Sequence, residues 1–108
     1  MKLRDATGLE AQIEVVVDTG FTDYLTLPAS AIASLTLAHG GTIRAALADG
    51  SAVDLDVYTI EVDWHGQWRI IPVLEADGGP LVGMSLLYGN DLSMRIVDGG
   101  SLSITPVP

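Results

Sequence analysis

The sequence predicts an all-β fold, a small closed barrel with one short helix. Three observations carry this reading. Apolar and polar residues alternate over short runs, as where Ala11, Ile13 and Val15 are set against Gln12 and Glu14. Period-two alternation is what a strand with one buried face requires. Turn residues bound the runs at Ala6-Thr7-Gly8, Asp49-Gly50, Trp64-His65-Gly66-Gln67 and Asp98-Gly99-Gly100. Helical spacing is confined to a short stretch, Pro28–Leu35, where Ile32 and Leu35 share one face behind a favourable N-terminal proline. Many short strands with turns between them make a barrel or a sandwich.

Lys2 to Val17 reads as two strands joined near Ala6-Thr7-Gly8, the second ending in the β-branched run Val15-Val16-Val17. After Asp18-Thr19-Gly20 a further strand covers Thr22–Leu27, with Tyr24 and Thr26 on one face and Leu25 and Leu27 on the other. Pro28 stops it and opens the helix. Ala38-His39-Gly40-Gly41 is expected to be a break. Thr42–Leu47 and Ala52–Val57 form a hairpin, because Asp49-Gly50 between alternating runs is a strong turn signal. Small Ala45, Ala46 and Ala48, and Asp54 and Asp56 alternating with Val53, Leu55 and Val57, suit a hairpin that projects from the body. Val57–Asp63 and Trp68–Leu74 make a second hairpin. Glu75–Gly79 is a polar loop, and Met84–Leu87 has room for one helical turn. Leu92–Val97 and Ser101–Ile104 are the last strands, and Pro106 and Pro108 end regular structure.

The 108 residues form one domain, with no linker, composition shift or repeat. The net charge of −9, with five scattered Lys and Arg, argues against nucleic acid and anionic membrane surfaces as partners. With no cysteine, disulfides and thiolate metal sites are excluded. His39 and His65 both sit beside glycine turns, so they read as loop residues rather than metal ligands or members of a triad. Met1-Lys2-Leu3-Arg4-Asp5 lacks the apolar stretch of a signal peptide, and no run reaches membrane-spanning length. A cytoplasmic location is the resulting expectation.

Chemistry concentrates at Asp18-Thr19-Gly20. A carboxylate at the end of a buried strand is partly desolvated and held by nearby N–H and hydroxyl groups, a setting suited to acid–base work. Gly20 allows a sharp bend or a close backbone approach. The same triplet is also ordinary turn chemistry, and by itself that reading is the stronger one.

The order of the pieces resembles the retropepsin-like aspartic proteases, in particular their small single-domain bacterial and archaeal type. The pieces are Val15-Val16-Val17-Asp18-Thr19-Gly20, the hairpin at Asp49-Gly50, and Leu81-Val82-Gly83-Met84-Ser85-Leu86-Leu87. The longer string Val17–Pro28 adds to the likeness, which spans roughly Glu10 to Ile104. It implies an aspartic-type endopeptidase acting on peptide or protein substrates as a homodimer, with no metal or organic cofactor. Asp18 would be the catalytic carboxylate, one from each chain. Thr19 would bond across the dimer and Gly20 would turn its N–H to the carboxylate. Leu81, Val82 and Gly83 would pack beneath the catalytic loop, and Asp49 and Gly50 would tip a flap. The sequence also departs from the family. Phe21 is larger than the usual Ala, Ser or Thr and would narrow the site. Thr22 and Met84 stand where viral members carry an acid and an arginine. The strand ahead of the first hairpin is short or missing, which leaves the C-terminal strand near Ser101–Ile104 to build the dimer, and the flap tip lacks the glycine-rich sequence of viral members. A peptide-binding module of the same fold, without turnover, is the alternative.

Overall fold

The computed structural model describes residues 1–46 and 48–108. It is mostly β, with ten strands and two short helices among the described residues. The strands are β1 (Lys2–Arg4), β2 (Glu10–Gln12), β3 (Val16–Val17), β4 (Leu25–Leu27), β5 (Ala38–Ala46), β6 (Ala52–Trp64), β7 (Gln67–Glu75), β8 (Leu81–Val82), β9 (Asn90–Met94) and β10 (Leu102–Pro106). The helices are α1 (Ala29–Ser34) and α2 (Met84–Leu87), so the chain has two short helices where one was expected. α2 forms because Leu86 and Leu87 are both buried by the core.

The main sheet runs β2-β1-β6-β7-β4-β8-β3, with β5 added to β6, and curls into a half-barrel. Its concave side holds Leu3, Leu25, Leu27, Ile60, Val62, Ile71, Val73 and Val82, closed over by Ile32 of α1 and by Leu86 and Leu87 of α2. α1 has no side-chain cap at Pro28, so burial of Ile32 is what holds this six-residue helix in place. β9 and β10 pair only with each other, as a separate two-stranded sheet.

Five local expectations are corrected. The second strand of Lys2–Val17 is broken into β2 and β3, with residues 13–15 outside regular structure and Val16 exposed rather than buried. Pro106 is the last residue of β10 rather than a stop before it. Ala38–Gly41 is strand rather than break: β5 starts at Ala38, and a register shift between His39 and Gly41 absorbs the glycines, with Gly41 at φ 111°. Glycine inside a strand commonly marks such a bulge. The two runs meeting at Val57 are one continuous strand of 13 residues, β6, which serves both hairpins. Thr22–Tyr24 is loop, and β4, with both edges paired to β7 and β8, is buried on both faces, Leu25 and Leu27 in the core and Thr26 with its hydroxyl on the Leu81 N–H. Leu47, the expected end of the Thr42–Leu47 run, lies outside the described residues.

The turn between β6 and β7 matches its sequence. His65 and Gly66 have φ of 55° and 81°, the two left-handed positions that a tight two-residue hairpin needs. Asp63 accepts a hydrogen bond from the Gly66 N–H at 3.1 Å.

Asp5 anchors the other end of the sheet. It is buried, and Oδ1 accepts from the Thr7 hydroxyl at 2.6 Å and the N–H groups of Thr7 and Leu9, while Oδ2 accepts from the Thr36 N–H at 2.9 Å. The Thr7 hydroxyl, then the Thr36 N–H, lower its pKa to about 2 against the opposing effect of burial. The folded value lies below the unfolded one, so this contribution is complete above about pH 4 and is lost as pH falls toward 2. Asp5→Ala is expected to lower the melting temperature by about 10 °C at pH 7, because four donors lose their acceptor. The difference from wild type should shrink between pH 4 and pH 2, which thermal melts across that range would show.

Candidate active site

The Asp18 loop is built around β8. Val16 and Val17 of β3 pair in parallel with Leu81 and Val82, and Leu25 and Thr26 of β4 pair antiparallel with Val82 and Leu81. The chain leaving β3 therefore turns over the end of β8 before descending as β4. Leu81, Val82 and Gly83 lie directly under the loop that carries Asp18, Thr19 and Gly20. Buried Thr26 takes part, its hydroxyl accepting from the Leu81 N–H at 3.0 Å.

The loop is fixed by its backbone. The Asp18 N–H donates to the Val82 carbonyl at 2.9 Å, and the Phe21 N–H closes a turn on the Asp18 carbonyl at 3.1 Å. The half-buried Asp18 carboxylate accepts the Gly20 N–H on Oδ1 at 2.9 Å. A Cβ at position 20 would come within 3.2 Å of that oxygen, so glycine keeps the approach clear. The Thr19 side chain is exposed and has no hydrogen-bond partner among the described residues.

A second set of bonds joins the loop to the start of α2. Gly83 N–H donates to the Tyr24 carbonyl at 3.0 Å, Met84 N–H to the Phe21 carbonyl at 2.8 Å, and Ser85 N–H to the Thr22 and Asp23 carbonyls. The Ser85 hydroxyl adds a 2.5 Å bond to the Thr22 carbonyl. Thr22 and Met84 cannot form an ion pair, and here the Ser85 hydroxyl and these backbone bonds tie the two segments together. Phe21 is half-buried, with its ring edge against Gly83: a Cβ on Gly83 would lie 2.5 Å from Phe21 Cδ2 and 2.7 Å from the Phe21 carbonyl. The ring thus packs on the glycine of the supporting strand.

The hairpin of β5 and β6 projects. β6 pairs with β7 only from Val57 onward, so among the described residues Ala52–Asp56 has β5 as its sole strand neighbour. Cross-strand register puts Ile43, Ala45, Val53 and Leu55 on one face and Thr42, Arg44, Asp54 and Asp56 on the other. Neither Val53 nor Leu55 packs against the main core. At the tip, Gly50 has φ 86° and Asp49 accepts from the Ser51 hydroxyl at 2.6 Å and the Ser51 N–H at 2.9 Å. The Ser51 hydroxyl, then its N–H, hold the Asp49 carboxyl below its ordinary pKa. At the root, His39 lies 3.2 Å from Asp56, and burial pushes the Tyr58 phenol up, helped by the charges of Glu75 and Asp56.

The structure thus brings Asp18, Thr19 and Gly20 together with Leu81, Val82 and Gly83, and it sets Asp49 and Gly50 apart on the projecting hairpin. His65 is spent elsewhere, bonding Asn90 at 2.7 Å beside the C-terminal hairpin. Two residues were not singled out in the sequence. Ser85 carries no signal there beyond its place after Gly83-Met84. Arg69 does: it is in period-two register with buried Ile71 and Val73, so a charge stands on the core-side row of β7, at the exposed start of the strand. In comparisons with known proteins, no family model, no curated protein and no solved structure matches the chain.

Proposed function

We propose that the chain is an aspartic-type peptidase of the retropepsin-like kind, with an active centre completed by a second copy. In this reading the half-barrel belongs to the closed barrel of that family. One observation carries it: an Asp-Thr-Gly loop seated over a Leu-Val-Gly strand that is inserted between the two strands flanking the loop. A projecting hairpin with an apolar face suits a cover for an extended peptide bound as an added strand.

In the pair, the two Asp18 carboxylates approach to about 3 Å and share one proton. The ionised one takes a proton from water as the oxygen attacks the scissile carbonyl carbon. The protonated one gives its proton to the carbonyl oxygen, which leaves a neutral diol. The tetrahedral diol then collapses, the C–N bond breaks, and a proton passes to the leaving nitrogen. The Gly20 N–H steadies Asp18 Oδ1 throughout, and the exposed Thr19 hydroxyl braces the partner's loop. The rate should follow a bell-shaped pH profile, since one proton on the pair is needed and two or none are inactive.

The N-terminal strand cannot join the chains, because β1 is paired on both sides within its own sheet. Among the described residues the β9–β10 hairpin pairs with no other strand, and Met94, Ile96, Val97 and Leu102 are exposed on it. It also carries both Arg95 and Asp98, so a twofold pairing can match opposite charges. Leu102→Lys is expected to weaken dimerisation at least about tenfold and to lower activity at low protein concentration. Sedimentation velocity and a dilution series of rates check this.

The hydrogen bond from Gly20 to Asp18 is also what a turn-capping aspartate makes, so the rival is a β-domain without catalysis. Incubation with a mixed peptide library at pH 4 to 7, with products read by mass spectrometry, separates the readings. Cleavage that pepstatin blocks supports the peptidase. Peptide retention without products supports the binding module, and neither result leaves the turn-capping role.

A further inference from the structure

We propose that Arg69 forms a subsite for a carboxylate on the bound peptide, which makes this protein selective for an acidic residue two to four positions from the cleavage point. The inference rests on the peptidase reading for its place in catalysis. The site itself is an open groove of about 400 Å³ lined by Thr22, Tyr24, Arg69, Met84, Ser85 and Tyr88.

Arg69 is unusual in its setting. Lys2, Arg4 and Arg44 are each ion-paired, to Glu10, Glu61 and Asp54. Among the described residues Arg69 and Arg95 have no carboxylate partner, in a chain with 14 acids and five bases, and of these two only Arg69 lines a groove. Even Asp23, on the same loop as Thr22, does not pair with it. The guanidinium instead lies over the Tyr24 ring, 5.6 Å from its centroid. That stacking orients the planar fork while leaving its N–H groups free for a bidentate acceptor. The other walls suit the stem of an acidic side chain. Met84 and Tyr88 are exposed apolar surface, at 44% and 87%, and Tyr88 adds a hydroxyl.

The groove is close to the proposed chemistry. Asp18 and Phe21 are joined by a closed turn, so their Cα atoms are within about 7 Å, and Thr22 follows one residue on. Thr22 thus lies within about 11 Å of Asp18, the span of roughly three residues of extended peptide. A strand-like substrate over Asp18 would bring a side chain two to four residues from the scissile bond to Arg69. The net charge of −9 opposes acidic peptides in general. Selectivity should therefore appear at one position only and fade with salt.

The test uses the same library in two forms, with free and with amidated C-termini, on four proteins. Wild-type cleavage products are expected to show Asp or Glu enriched at least about fivefold at a single position. Arg69→Glu is expected to reverse that position to Lys or Arg and to leave the residues at the scissile bond unchanged. Immobilised Asp18→Asn protein should retain the same acidic peptides without cutting them, and Asp18→Asn with Arg69→Gln should not. Retention that follows the free C-terminus instead assigns the carboxylate to the chain end. Cleavage with no acidic preference, or a preference untouched by Arg69→Glu, overturns the subsite and leaves the peptidase standing. Absence of cleavage removes the peptidase, and the Asp18→Asn capture then judges the subsite alone: no acidic enrichment there overturns it too. A change in dimerisation on Arg69→Glu with unchanged selectivity likewise overturns it, by making Arg69 a contact between copies.

Discussion

Asp18→Asn is expected to abolish peptide cleavage, by at least about a thousandfold, while leaving the melting temperature within a few degrees of wild type. Asparagine has the shape of aspartate, and its side-chain oxygen can still accept the Gly20 N–H that Asp18 Oδ1 accepts at 2.9 Å. The backbone bonds to Val82 and Phe21 do not involve the side chain. What is lost is the shared proton: an amide neither takes a proton from water nor gives one to a carbonyl. A mixing experiment isolates the contribution of the second copy. If wild-type chains are equilibrated with a ninefold excess of Asp18→Asn chains, about one in ten keeps a wild-type partner, so activity per wild-type chain should fall about tenfold. Activity per wild-type chain that ignores the excess would mean that one chain contains the whole site, and the two-copy mechanism would be abandoned.

Gly83→Ala is expected to destabilise the fold by about 3 kcal/mol or more, a drop of more than about 10 °C in melting temperature. The cause is steric. Gly83 is buried, and its backbone has φ −108°, which any residue adopts. A methyl group there would collide with the carbonyls of Asp23 and Phe21 and with the Phe21 ring. Two of these three obstacles are backbone, held by the bonds from Met84 and Ser85. Relief requires the Asp18 loop to lift away from β8, so activity should be lost with stability. Phe21→Ala added to Gly83→Ala should recover little, because the carbonyl clashes remain. A Gly83→Ala protein that melts within about 2 °C of wild type would show that the loop is not seated on β8 as described.

The two variants separate chemistry from architecture. The first removes a charge and keeps every contact, whereas the second keeps the charge and breaks the seat beneath it. Gly83→Ala is informative whatever the protein does, since it tests packing alone.

Much of this was legible in the chain. Alternation and turn residues defined the two central hairpins, and His65-Gly66 turned where the residues required. Val15-Val16-Val17 before Asp18 announced a strand ending in a carboxylate, but only Val16 and Val17 are strand and Val16 is exposed, because β3 is an edge that, among the described residues, pairs with β8 alone. The errors have a common origin. Gly40 and Gly41 read as a break because a bulge needs a partner strand to stabilise it, and β6 is distant in sequence. The run from Ala52 to Trp64 looked like two strands because its two halves have different neighbours, β5 on one and β7 on the other. Thr22–Tyr24 had strand composition but went to loop, because its carbonyls are taken by Gly83 and Ser85.

By itself, the sequence determined the strand-rich class, the positions of the tight turns and the residue types at the acidic loop, since these follow from local periodicity and backbone preference. Only the tertiary structure decided that β8 slides between β3 and β4, that Gly83 has no room for a side chain, and that Arg69 lies over the Tyr24 ring with no carboxylate partner among the described residues. Each depends on segments more than 40 residues apart meeting at a fixed register. Long-range pairing of that kind is set by burial and hydrogen bonding across the whole sheet, and no local pattern encodes it.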